Sequence, residues 1–173
     1  MRGMFWKTFY FKLSLAIGIL AGTFATLFEH LPASLGTILW VAFIGIAITC
    51  GVGPDRKKIP NFIGSAVAGI IWGLIYFRGF ELLGKMGVNA DLKMFLVITV
   101  LTVLVATFHL CVVDKTWLGL LPVVFASLAC FFAVDGQNPI SLGIAMTLGI
   151  LLAHTFEPVA QLFHKESSAK VDA

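Results

Sequence analysis

The chain has 173 residues, of which 59% are hydrophobic and only 12% charged, with a net charge of +3. A soluble domain carries about 25% charged residues, so this composition argues against a soluble enzyme. The apolar residues come in long runs, and roughly 20 of them cross the hydrocarbon core as a helix. The expectation is an all-α, polytopic membrane protein forming one membrane domain over 1–173.

Six transmembrane helices are expected, at about 9–28, 35–50, 62–77, 94–113, 117–134 and 139–162. The first follows a mixed aromatic and basic segment, with Phe5, Trp6, Phe9, Tyr10 and Phe11 among Lys7 and Lys12. That mixture suits the membrane–water interface. The run is long for a signal peptide and no small-residue cleavage site follows it cleanly, so an uncleaved start is expected. The second, third and fifth spans are short for a bilayer.

The connections read as turns. "EHLPAS" carries a proline, "GVGPDRKKIPN" carries glycine, proline and charge, and "VDGQNP" ends on a proline suited to a helix start. Glu29 and His30 read as solvated residues at the end of the first span. No linker is long enough to separate domains. Nine basic residues (Arg2, Lys7, Lys12, Arg56, Lys57, Lys58, Lys115, Lys165 and Lys170) fall on one side, and three (Arg78, Lys85 and Lys93) on the other. The excess predicts cytoplasmic N- and C-termini, and an even number of spans agrees.

A weak internal repeat joins the halves. "AFIGIAITCG" in the second span lays onto "VFASLACFFA" in the fifth, pairing Phe43 with Phe125, Gly45 with Ser127 and Ala47 with Ala129. Further on, Pro60, Gly64 and Ala66 pair with Pro139, Gly143 and Ala145. A repeat of three helices is inverted in the membrane, an arrangement that places a transport site at the repeat interface.

"GILAG" at 18–22, "WVAFIGIAITCG" and "SAVAGIIWGLI" resemble the YcdZ-like family of small bacterial inner-membrane proteins, a domain of unknown function. The resemblance covers most of the chain. It implies six helices in the inner membrane and brings no known activity or site residue.

Small residues recur at helical spacing. Gly18 and Gly22, then Ser65, Gly69 and Gly73, then Ala145, Gly149 and Ala153 form ridges that let helix backbones approach closely. They suit packing inside one subunit or, for at least one ridge, a homo-oligomer. Polar residues also align. Thr99, Thr102, Ala106 and His109 share one face of the fourth span. Gly143, Thr147, Ile150, His154, Glu157 and Gln161 share one face of the sixth.

Titratable groups near hydrocarbon are costly and usually have a partner or a task. His109, Thr147, His154, Glu157 and Gln161 are therefore the candidate polar vestibule, placed in the cytoplasmic third, with Arg56, Lys57 and Lys58 nearby. The structural alternative is interhelical hydrogen bonding, with Glu157 reaching to the interface. Cys50, Cys111 and Cys130 form no paired motif. Cys111 is turned away from His109, so no metal site is expected. No catalytic constellation, phosphate-binding loop or nucleic-acid groove is present, and no cofactor is expected. The expected partners are the lipid bilayer, further copies of the chain and a small polar solute. Composition and spacing thus favour a small channel or permease over an assembly subunit without a transport path, and over an enzyme.

Overall fold

A computed structural model describes residues 2–31 and 38–169, with side chains described at 9–31 and 38–162. The expected span at 35–50 begins outside the described residues. Six helices follow in order: α1 (Arg2–Phe28), α2 (Leu39–Val52), α3 (Ile59–Lys85), α4 (Ala90–Thr107), α5 (Leu121–Ala133) and α6 (Pro139–Ala169). A short 3-10 turn, Arg56–Lys58, leads into α3, and a π-type turn, Phe108–Val112, ends α4. No strand occurs among the described residues.

Local chemistry sets the helix ends. Pro60 and Pro122 stand in the first turns of α3 and α5, where a missing N–H costs nothing. Asp55 accepts from the Lys57 backbone N–H and Asn89 from that of Asp91, satisfying donors that a helix start leaves free. Gly87 follows α3 at a φ of +72°, the left-handed conformation that terminates helices at glycine. The turn into α6 holds Asp135, Gly136 and Asn138 at positive φ. These are the residue types that tolerate that region.

Among the described residues four helices are long and apolar enough to cross a membrane: Phe9–Phe28, Arg56–Lys85, Ala90–Val112 and Pro139–Leu162. This is a membrane protein. With 14 and 13 residues, α2 and α5 are apolar but short. At 1.5 Å per residue each covers only about 20 Å, against a hydrocarbon core of about 30 Å.

The helices alternate in direction. Gly64, Gly69 and Gly73 of α3 meet Trp117, Val124 and Phe131 in that order, so α3 and α5 run parallel. Trp72, Tyr76 and Gly79 meet His109, Thr102 and Val97, so α3 and α4 run antiparallel. Ala42 of α2 meets Gly149, and Cys50 near its end shares a cleft with Ala153 and Glu157, so α2 runs with α6. Phe9 in α1 lines that same cleft. The beginnings of α1, α3 and α5 therefore gather at one end with the ends of α2, α4 and α6.

Glycine decides how closely these helices cross. A Cβ on Gly149 would strike the Ala42 carbonyl, and one on Gly69 the Val124 carbonyl. One on Gly73 would enter the Phe131 ring, and one on Gly45 would lie 2.6 Å from the Met146 carbonyl oxygen. The ridges of α3 and α6 are thus used within the subunit. Around these crossings the core buries Phe62, Phe131, Leu142, Met146 and Ile150. Gly18 and Gly22 of α1 have open space instead.

Candidate functional site

The polar face of α6 leads to a cleft at the end of the bundle that carries Arg56. His154, Glu157, Pro158 and Gln161 line it from α6, and Pro54 and Arg56 from the α2–α3 connection. Its volume is about 350 Å³, within the range of small-molecule sites, roughly 300–1,000 Å³. Three of the five vestibule residues expected from the sequence, His154, Glu157 and Gln161, are brought together here.

His154 is 5% exposed. Its Nδ1 lies 2.7 Å from the Ile150 carbonyl oxygen. A carbonyl only accepts, so the neutral ring carries its proton on Nδ1 and keeps a bare lone pair on Nε2. That Nε2 is buried and has no hydrogen-bond partner among the described residues. The Phe62 ring stands edge-on to the imidazole with centroids 5.3 Å apart and holds the ring in place. Glu157 is exposed, and its Oε1 accepts from Gln161 Nε2 at 3.1 Å, one helical turn on. Pro158 lies inside α6. Proline has no N–H for the carbonyl four residues back, so the His154 carbonyl lacks its helical partner. Arg56 makes no ion pair among the described residues.

The other two expected residues lie elsewhere. Thr147 is half-buried two turns earlier in α6 and does not line the cleft. His109 is fully buried in the π-type turn and has two partners of its own. Its Nδ1 donates to the Leu118 carbonyl at 2.7 Å, and its Nε2 accepts from the Trp72 indole N–H at 3.1 Å. The expected approach of His109 to His154 is not seen. Their α3 neighbours, Trp72 and Phe62, stand ten residues apart on that helix, roughly 15 Å along its axis. With both nitrogens satisfied, His109 ties α3 to the α4–α5 connection. Asn61 Nδ2, donating to the Thr116 carbonyl, and the Leu120 N–H, donating to Ser65 Oγ, reinforce that tie.

Sequence reasoning placed Arg56 only nearby and missed Pro54 as a wall of the cleft. The four-residue offset from His154 to Pro158 is legible in the sequence and marks the His154 carbonyl. Trp72 as the partner of His109 left no signal in either helix. Cys111 is exposed while His109 is buried, as their spacing implied. Among the described residues no group of His, Cys, Asp and Glu has the arrangement of a metal site.

A second, apolar cleft of about 310 Å³ adjoins the first. Phe9, Leu13 and Ile17 of α1 line it with Cys50 and Phe156. The two clefts share Pro54, Ala153 and Glu157. Together they form an amphipathic depression at the interface end of α1 and α6.

Fold and cleft define a polytopic α-helical membrane protein with a polar cleft at one end of the bundle. The chain belongs to the family described as protein of unknown function, DUF1097, whose profile matches residues 14–161. No curated protein and no solved structure matches it.

Proposed function

We propose that the chain is a six-span channel or permease for a small polar solute, built from two inverted three-helix halves. We place it in a bacterial inner membrane with both termini cytoplasmic, and read it as a YcdZ-like member of its family without enzymatic activity. The cleft at His154 is then the cytoplasmic vestibule.

The observation that carries this reading is the matched packing of the halves. Exchange α1 with α4, α2 with α5, and α3 with α6. The packed pair α2–α6 becomes α3–α5, and α1–α6 becomes α3–α4, while α3–α6 and α2–α5 map onto themselves. The match extends to atoms. The Ala42 carbonyl abuts Gly149 as the Val124 carbonyl abuts Gly69. Ala42 and Val124 share the offset that pairs Phe43 with Phe125 in sequence. The two short helices, α2 and α5, occupy corresponding positions, and such pairs point to the binding region of inverted-repeat transporters. Their shortness leaves polar backbone ends near membrane depth, which is tolerated where protein or a water-lined cavity covers them.

The competing reading is an assembly subunit without a transport path. The fully buried Phe62, Phe131, Leu142 and Met146 between the halves favour it. In either reading we propose a homo-oligomer. The exposed residues Ser14, Gly18, Gly22 and Thr26 repeat every four positions along α1, a spacing that suits helix–helix contact.

Osmotic swelling of proteoliposomes with urea, glycerol and glycine separates the two readings. A channel or permease accelerates swelling for at least one solute, and His154→Ala changes that rate at equal protein incorporation. No acceleration for any solute favours the assembly subunit.

A further inference from the structure

We propose that the amphipathic depression binds a phospholipid whose headgroup carries a primary ammonium. The lipid site rests on the cleft being a binding site and is independent of whether a solute crosses the protein.

The α6 wall of the polar cleft is rich in acceptors and short of donors. In the neutral ring His154 Nε2 holds a buried lone pair with no partner among the described residues. The His154 carbonyl lacks its helical partner because residue 158 is proline. Glu157 offers a carboxylate, and Gln161 has turned its amide N–H toward that carboxylate, so its own oxygen is left to accept. A ligand completing this set must bring several N–H donors and positive charge. A primary ammonium has three N–H groups and one charge. A trimethylammonium has the charge and no N–H, so it satisfies neither nitrogen nor carbonyl.

The remaining features select an amphiphile with an anionic group beside its ammonium. Arg56 lines the polar cleft without an ion-pair partner among the described residues, and its planar fork suits a phosphate. The apolar cleft continues from the polar one through Pro54, Ala153 and Glu157, and presents Phe9, Leu13 and Phe156 to a hydrocarbon chain. Depth agrees as well. The depression lies where α2 ends and the basic Arg56–Lys58 turn begins, beside the aromatic start of α1. That is the level at which aromatic and basic residues meet headgroups.

The region that the offset from Gly69 to Gly149 relates to the polar cleft, at the other end of the bundle, is built differently. Leu74 stands for His154 and Phe77 for Glu157, and Glu81, which stands for Gln161, is already held by Arg78 and Lys85.

The test uses the full chain, purified in mild detergent and mixed with equal amounts of dioleoyl phosphatidylethanolamine, phosphatidylcholine and phosphatidylglycerol. Bound lipid is counted by native mass spectrometry. Retention of the ethanolamine lipid should exceed that of the choline lipid roughly tenfold, the factor one hydrogen bond to a charged group supplies. The glycerol lipid should do no better than the choline lipid. Glu157→Gln, at an exposed position, and His154→Ala should each bring the ethanolamine lipid down to the choline level. Glu157→Gln decides the matter if His154→Ala does not fold. Soluble O-phosphoethanolamine at the same concentration should leave bound lipid in place, because it cannot fill the apolar cleft.

Equal retention of the ethanolamine and choline lipids overturns the inference, as does a preference that survives Glu157→Gln. Displacement by O-phosphoethanolamine removes the apolar cleft from the site and overturns it equally. Swelling measured on the same preparations keeps the two readings apart: flux without lipid preference sinks the lipid site alone, and lipid preference without flux sinks the transport reading alone.

Discussion

The two buried histidines show how one side chain type takes two roles. His109 has both ring nitrogens engaged, so its position is explained by the bonds it makes. Trp72→Phe removes the indole donor and strands His109 Nε2 in the interior. The expected loss is about 1 kcal/mol, because hydrogen bonds between membrane helices are worth roughly 0.6–2 kcal/mol. Equilibrium unfolding in detergent–SDS mixtures measures it, and an unchanged midpoint would contradict the tie. His154 has one nitrogen engaged and the other without a partner among the described residues, beside a proline that removes the helical N–H its carbonyl would meet. Pro158→Ala returns an N–H to the helix. It should raise stability by roughly 1–3 kcal/mol and weaken retention of ethanolamine lipid. A change that stabilises the fold while impairing binding marks a residue kept for its site. Lowered stability in Pro158→Ala would contradict this account.

Helix crossings carry the second set of expectations. Gly149→Ala and Gly69→Ala each press a methyl group against a backbone carbonyl, which cannot swing aside as a flexible side chain can. Each should cost about 1–3 kcal/mol through overpacking, or force the helices apart. Gly18→Ala has open space around it and should leave the folded monomer intact. Gly18→Leu tests the oligomer separately. It should lower the mass measured in mild detergent by at least one subunit's worth while the helix content stays constant. A wild-type chain that is already monomeric in several detergents removes the oligomer. The sequence showed all three small-residue ridges, but the ridge pattern is the same whether the facing helix belongs to the same chain or to another. Only the placement of α5 and α2 against α3 and α6 assigns two ridges to the interior and leaves the α1 ridge open.

At the scale of the molecule, alternating helix direction gathers the starts of α1, α3 and α5 with the ends of α2, α4 and α6. Reporter fusions after Lys58, Lys115 and Lys165 should therefore report one compartment, and a fusion after Lys85 the other. The basic excess predicts that the shared side is the cytoplasm. The informative fusion is the one after Lys58. If α2, at 14 residues, does not carry the chain across, Lys58 reports the compartment opposite the N-terminus. The six-span topology then fails, although the six helices remain.

The number of helices and their class were legible because lipid imposes them. A backbone without water must satisfy its own hydrogen bonds, so long apolar runs become helices whatever surrounds them. Turn chemistry fixed some boundaries for similarly local reasons, but the third span, expected to be short at 62–77, is the 27-residue α3. The start of α6 at Pro139 was expected and found, and α4 begins at Ala90, just after the capping Asn89, four residues before the expected span. The faces of α4 and α6 were also legible, because helical periodicity is a local property. Thr102 and His109 both meet α3 as their shared face implied. Which face meets which was a tertiary decision. His109 and His154 were expected near each other on grounds of depth alone, yet each packs on its own stretch of α3, and Trp72 reaches His109 across 37 positions of sequence. The vestibule kept His154, Glu157 and Gln161 because one helix carries all three. The cleft gains Pro54 and Arg56 and leaves out His109 and Thr147, and glycine crossings, at Gly69 against Val124 and Gly149 against Ala42, set how the helices dock. A periodic pattern states which side of a helix is buried; the identity of the neighbour depends on contacts between residues far apart in the chain, and those exist only once the helices have packed.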